Sequence, residues 1–259
     1  MSKHNTSVFI DNCNYLKLIK LPLEYQDMID RASAQQMGYL EFISALIQEE
    51  VNARRLRSIN YRIRESRLPR PFKLLDDFNF SFQPNLKKKL IMDLSAMDWM
   101  RTRRSVLFEG RSGTGKSHLA RSLALIACQS GYKVYYTTCA NMLHDLNMGV
   151  YEKTLYKRMR KYINPDLLLI DEMGHDRLEL EVTREAHLLF KVIDERYNKS
   201  KSLMMTTNVD RQGWAEYLGD PVSTQAILDR IYHHSVKVHI KGKSYREYEG
   251  ELLQEQYNS

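Results

Sequence analysis

The chain has 259 residues, 43% of them hydrophobic and 27% charged, with a formal net charge of +7. That balance excludes an intrinsically disordered chain, and no apolar run approaches the roughly 18–20 residues a membrane span needs. Met1-Ser2-Lys3-His4-Asn5 lead into no apolar signal core, so a cytoplasmic location is expected.

From the N-terminus, Tyr39 to Val51 predicts a helix in which Leu40, Ile43, Leu46 and Ile47 mark one face and Glu49-Glu50 close it. Between Arg54 and Lys73 stand eight basic residues (Arg54, Arg55, Arg57, Arg62, Arg64, Arg67, Arg70, Lys73) against one acid, Glu65. The same helix is expected to carry them until Pro69 and Pro71 stop it. An arginine-rich helix ending a small helical module suits a phosphate-backbone clamp, with Arg54, Arg55, Arg57, Arg62, Arg64 and Arg67 as candidate DNA contacts. The other reading is a solvated helix face. No groove-reading motif or metal finger appears, so DNA contact should be mostly sequence-independent.

The prolines divide the chain near residue 70, giving an N-terminal module over 1–70 and a second domain over 71–259. Phe78, Phe80 and Phe82 alternate with polar residues in the connector. They suit an edge strand, a place near a base, or ordinary core packing. Lys87-Lys88-Lys89, Arg101, Arg103 and Arg104 add positive charge before the first strand.

Residues 110–117 read Gly-Arg-Ser-Gly-Thr-Gly-Lys-Ser, a complete phosphate-binding loop. It stands between the strand-like Val106-Leu107-Phe108 and a helical pattern through Leu119, Ala120, Leu123, Ala124 and Ala127, the context the motif requires. The candidate nucleotide-binding residues are Gly110, Arg111, Ser112, Gly113, Thr114, Gly115, Lys116, Ser117 and His118. The glycines allow backbone N–H groups to converge on phosphate, and the helix N-terminus favours negative charge there. Lys116 reaches the β- and γ-phosphates, and the Ser117 hydroxyl coordinates Mg²⁺.

Asn164-Pro165 ends a helical stretch, and Asp166-Leu167-Leu168-Leu169-Ile170-Asp171-Glu172 predicts a buried parallel strand ending in two carboxylates. Asp171 is assigned to Mg²⁺, through its water shell, and Glu172 to polarising the attacking water. A further strand, Ser202 to Thr206, ends in Thr207-Asn208. An amide there can hydrogen-bond a γ-phosphate or the water, or simply make a turn. Ala226 to Ser235 predicts a helix feeding the last strand, Val236 to Ile240. Its Arg230 is placed to act as an arginine finger in a neighbouring subunit's site, or to pair with Asp229 or Glu247. The cysteines, Cys13, Cys128 and Cys139, show neither a disulfide framework nor metal spacing.

Strands near 105–109, 133–138, 167–171, 202–206 and 235–240, separated by helical or loop segments, predict an α/β domain with a five-stranded parallel sheet covered on both faces. Only 19 residues follow Ile240, so a reduced or absent lid is expected.

Taken in order, Gly-Arg-Ser-Gly-Thr-Gly-Lys-Ser-His-Leu-Ala, Leu-Leu-Leu-Ile-Asp-Glu-Met-Gly, Thr-Thr-Asn, Ile-Leu-Asp-Arg-Ile-Tyr-His-His-Ser and Ile-Lys-Gly-Lys-Ser-Tyr-Arg resemble the IstB family. These are ATPase helpers of bacterial insertion sequences, related to DnaC-type helicase loaders within the AAA+ class. The resemblance extends forward through Leu18 to Pro22, Tyr39 to Leu46 and Asp76 to Phe82. It departs at His175-Asp176-Arg177, where the family more often carries a tyrosine and a less charged stretch. It implies spatial strand order 5-1-4-3-2 and an ATPase using ATP and Mg²⁺, with Glu172, Asn208 and Arg230 as its catalytic residues. It further implies ATP-dependent oligomers on duplex DNA, with sites shared between subunits, that engage and stimulate a partner transposase. The alternative within the class is a DnaC-like replicative helicase loader. No acidic triad suited to nuclease work stands outside the ATP site, so the chain reads as a regulator of transposition and not as the recombinase.

Overall fold

The computed structural model describes residues 3–174, 182–210, 213–218 and 221–258, so His175-Asp176-Arg177 lie outside the described residues. The chain forms two compact units, Met1–Tyr61 and Arg62–Ser259.

The first unit holds α1 (Lys3–Tyr15), α2 (Leu21–Ala34) and most of α3 (Tyr39–Glu65). Phe9 and Tyr25 pair their rings at 5.2 Å, and Cys13 and Met28 are buried. Buried Glu50 caps α2, accepting from the backbone N–H groups of Ile19 and Lys20 at 2.9 and 2.8 Å. This contact sets the rotation of α3. Its inward side runs through half-buried Phe42 and Leu46 to Glu50. Leu40, Ile43 and Ile47, expected on the covered face, are exposed.

Helix α3 ends at Glu65, before the prolines, because Arg67 turns the backbone left-handed at φ 58°. Residues from Arg62 onward belong to the second unit and are held within it. Arg62 Nε donates to the Cys128 carbonyl at 2.8 Å, and the Tyr136 backbone N–H donates to the Ser66 carbonyl at 2.7 Å. The compact units therefore divide between Tyr61 and Arg62, whereas the prolines suggested a division near residue 70. Phe80–Phe82 form a short 3₁₀ turn, not an edge strand, capped by the Asn79 side chain.

The second unit continues with α4 (Lys88–Ser95), α5 (Asp98–Arg101), β1 (Ser105–Gly110), α6 (Lys116–Gln129), β2 (Val134–Thr138), α7 (Cys139–Tyr151) and α8 (Leu155–Ile163). There follow β3 (Leu167–Met173), α9 (Val182–Asn198), β4 (Ser202–Thr207), α10 (Gly213–Leu218), α11 (Pro221–His233), β5 (Ser235–Ile240) and α12 (Tyr245–Asn258). The strands form one parallel sheet in the order β2-β3-β4-β1-β5, the expected 5-1-4-3-2 read from the other edge.

Successive strand side chains point to opposite faces, and each face has its own core. Val106, Phe108, Leu167, Leu169 and Met204 pack with α6 and the α4–α5 segment. Leu107, Leu168, Ile170, Leu203 and Met205 pack with α7, α8, α9 and α11. The helices on that second face are tied to the sheet by Arg196 of α9, which is 1% exposed. Its guanidinium donates to the carbonyls of Tyr162, Ile163, Pro165, Asp166 and Ser202. Burial pulls this group down to about 9 against the opposing charge of Asp166, so it remains a cation at neutral pH. Among the described residues, one helix, α12, follows β5.

Candidate active site

The phosphate loop joins β1 to α6, with Gly113 at φ 75° and Gly115 at φ 94°. A Cβ on Gly115 would stand 2.6 Å from the Phe78 ring, and one on Gly113 would strike the Ser244 hydroxyl. The loop is thus backed by the connector before β1 and by the segment after β5. Tyr245 strengthens the second contact by donating its backbone N–H to the Gly113 carbonyl at 2.9 Å. Phe78 meets the Phe80 and His118 rings edge-on beside the loop, while Phe82 meets the Tyr245 and Tyr248 rings. His118 Nε2 also lies 2.7 Å from the Leu74 carbonyl.

Lys116 donates to the carbonyls of Gly110 and Arg111 at 2.8 and 2.7 Å. Burial draws its pKa down; Asp171 opposes that shift and the charge of Arg246 adds to it. Thr114 also donates to the Arg111 carbonyl. Arg111 is exposed and contributes its backbone to the loop.

Asp171 is wholly buried at the end of β3. Its Oδ1 accepts from the Ser117 hydroxyl at 2.8 Å and from the Thr206 hydroxyl. Its Oδ2 accepts from Arg121, at 3.1 and 2.8 Å, and from the Tyr136 hydroxyl at 3.2 Å. Burial alone would lower Arg121, but Asp171 and Tyr136 outweigh it and raise the guanidinium. Burial and Asp171 together push the Tyr136 hydroxyl well above the usual phenol range. The next residue, Glu172, is exposed and left-handed at φ 61°. There the β3–β4 register breaks between Ile170 and Met173, and the Glu172 N–H donates to the Thr206 hydroxyl at 3.0 Å. The irregularity turns Glu172 outward while Asp171 stays inside, as bulges beside sites commonly do.

These elements enclose a cleft of about 610 Å³. Ser112 to His118, Glu172 and Asn208 line it, with Phe78, Phe82, Tyr245, Arg246 and Glu249 on the remaining wall. The volume falls in the range of small-molecule and cofactor sites. Its donor set fits a triphosphate and a hard cation. The loop has no room for side chains at Gly113 and Gly115, a cation stands at its base, and the Ser117 hydroxyl is bonded to a carboxylate. Oxygen donors of this kind suit Mg²⁺.

Arg230 lies elsewhere. With Ser105 and Leu203, at the beginnings of β1 and β4, it lines a separate cavity. It donates to Asp194 at 2.7 Å and covers the Phe190 ring at 4.9 Å, so its carboxylate partner is neither Asp229 nor Glu247. The phosphate loop leaves the opposite end of β1, and five residues of strand span roughly 16 Å. Of the basic run, Arg54, Arg55, Arg64 and Arg67 are exposed, and Arg57 pairs with Glu50 at 3.3 Å. Arg64 lies 3.3 Å from Glu65, while Arg67 stands over the Tyr135 ring. Half-buried Arg62 holds the Cys128 carbonyl.

Sequence reasoning missed Arg121, Tyr136, Thr206, Tyr245 and Glu249. Arg121 alone left a usable signal, because it follows Ser117 by four residues and so shares its helix face.

The sheet order, the phosphate loop on β1 and the carboxylates on β3 define a phosphate-loop domain of the AAA+ class. Residues 12–251 match the family model for IstB-like ATP binding protein, and the chain belongs to that family. It is 35% identical to a protein of insertion sequence IS5376 from Geobacillus stearothermophilus, named as ATP-binding, over 94% of this chain and 95% of that one. The similarly named protein of IS21 from Pseudomonas aeruginosa is 32% identical, covering 89% and 85%. Among solved structures, AMPPCP-bound DnaA from Aquifex aeolicus aligns with TM-score 0.54 and 18% identity over 74% of this chain and 57% of that one. The DnaC helicase loader aligns with TM-score 0.50 and 23% identity over 59% and 87%. At these identities the structural likeness is one of fold. Among the described residues no helix is long and apolar enough to cross a membrane.

Proposed function

We propose that the chain is an ATP-hydrolysing regulator of transposition that assembles on duplex DNA and engages a transposase. The observation that carries the enzymatic part is the division of labour at the end of β3: Asp171 is buried and bonded to Ser117, while Glu172 is turned into the cleft. Lys116 and the loop N–H groups bind the phosphates, and Ser117 with Asp171 holds Mg²⁺. When bound, the cation would neutralise negative charge on the phosphates. Glu172 accepts a proton from the attacking water at its carboxylate. Asn208 hydrogen-bonds the γ-phosphate or that water, and Arg230 of a neighbouring copy completes the charge stabilisation. Membership of the family and relatives named for insertion sequences support the link to transposition. The fold likeness to the DnaC helicase loader keeps a loader as the second reading.

The test is paired. Glu172→Gln should bind ATP with near-wild-type affinity while turnover falls by about two orders of magnitude or more, and Lys116→Ala should lose nucleotide binding itself. Wild-type turnover in Glu172→Gln would remove its assignment as base.

A further inference from the structure

The hydrogen bonds to Asp171 divide by oxygen. Oδ1 receives the hydroxyls of Ser117 and Thr206, which belong to the phosphate-loop helix and the neighbouring strand. Oδ2 receives two donors from Arg121 and the hydroxyl of Tyr136. Arg121 and Tyr136 are also bound to each other, by a 2.8 Å hydrogen bond and by the guanidinium lying 5.2 Å from the ring centroid. Asp171, Arg121 and Tyr136 therefore close a triangle on the side of the carboxylate away from Ser117.

The terminal torsion of an aspartate is broad, so a single contact leaves the carboxylate free to turn. Three donors on one oxygen remove that freedom and commit the other oxygen to Ser117. Arg121 also compensates the buried charge, which would otherwise be costly at a position with no exposure. It does so from the helix that presents Ser117, one turn further along, so the hydroxyl and the clamp move as one piece.

We propose that Arg121 and Tyr136 are positioning residues for the metal site, fixing Asp171 so that Oδ1 meets the cation or its water beside Ser117. The proposal rests on the reading of Ser117 and Asp171 as the Mg²⁺ site. Groups that orient a ligand without touching the metal commonly change metal affinity by about 10–100-fold when removed.

The experiment is equilibrium binding of a fluorescent ATP analogue to the full chain across a Mg²⁺ titration, for wild type, Lys116→Ala, Arg121→Gln and Tyr136→Phe. Circular dichroism reports folding in parallel. The half-saturating Mg²⁺ concentration should rise by about 10-fold in Arg121→Gln and by a smaller step in Tyr136→Phe, which keeps the ring under Arg121. Nucleotide affinity without Mg²⁺ should stay at the wild-type value in Tyr136→Phe, whose side chain does not line the cleft, a pattern that general loosening of the fold does not produce. Wild-type midpoints in the two folded variants overturn the proposal, and if Arg121→Gln fails to fold, Tyr136→Phe alone decides. A wild-type titration insensitive to Mg²⁺, with binding still abolished in Lys116→Ala, instead overturns the metal assignment on which the proposal stands.

Discussion

Glu172 holds a left-handed backbone, φ 61°, that costs a residue with a Cβ on the order of 1–3 kcal/mol. Thr206 helps to sustain it, since the one hydroxyl accepts from the Glu172 N–H and donates to Asp171. Thr206→Val keeps the shape and removes both bonds, leaving the Glu172 N–H and the buried Asp171 Oδ1 each short of a partner. Thermal stability should fall by about 1–3 kcal/mol, and ATP turnover should fall further than nucleotide affinity. Thr206→Ser, which restores the hydroxyl, should recover most of both. Equal turnover in Thr206→Val and wild type would remove this threonine from the site. The carboxylates themselves were legible in the sequence because an apolar strand ending in Asp-Glu after a phosphate loop has few other uses. Thr206 and Tyr136 were not legible, because their contacts arise only when β3 pairs with β4 and β2. The pairing of Thr138 with Asp171 is what brings β2, and Tyr136 on it, beside the carboxylate.

At the scale of elements, the strands could be read because parallel strands buried on both faces are continuous apolar runs, whereas their order followed only from the family resemblance. The rotation of α3 could not. Its apolar positions surround more than one face, and the deciding contact is polar: Glu50 capping α2 from 30 residues away. Burial raises the Glu50 carboxyl, but bonds from the backbone N–H groups of Lys20, Ile19 and Leu21 and the charge of Arg57 outweigh it. The net shift is below the ordinary value of 4.5. A carboxyl lowered on folding contributes stability above its unfolded value and loses it as pH falls through the folded one. The stability advantage of wild type over Glu50→Gln should therefore be full at pH 7 and shrink below pH 4.5. Paired thermal melts from pH 7 down to pH 3 measure it. A difference constant across that window would mean that Glu50 acts through packing alone.

For the molecule as a whole, the arginine-rich run divides into residues with different work. Arg62 anchors the end of α3 and Arg57 pairs with Glu50, whereas Arg54 and Arg55 are exposed. Charge counting in the sequence cannot separate these uses, since each depends on what the helix lies against. If Arg54 and Arg55 contact phosphates, replacing both with Ala should weaken duplex binding alike on unrelated sequences. It should also reduce the log–log salt slope by about 1 for each phosphate no longer neutralised. An unchanged slope returns them to a solvated face, and a strong preference for single strands favours a helicase loader.

In the proposed assembly, one copy's nucleotide site is completed by another. Arg230 lies at the opposite end of the sheet strands from its own phosphate loop, bonded to Asp194, so the proposed finger role requires a neighbouring copy's nucleotide and release of that partner. Fingers supplied in trans contribute roughly 10³–10⁵ in rate in well-studied phosphoryl-transfer systems, which makes the effect easy to see. The decisive measurement is ATP turnover in mixtures of Arg230→Ala and Lys116→Ala subunits, each expected to be inactive alone, with co-assembly verified. Turnover should reappear on mixing, because an Arg230→Ala site meets an intact Arg230 from its Lys116→Ala neighbour. Mixed assemblies that stay as inactive as either parent would contradict the shared site.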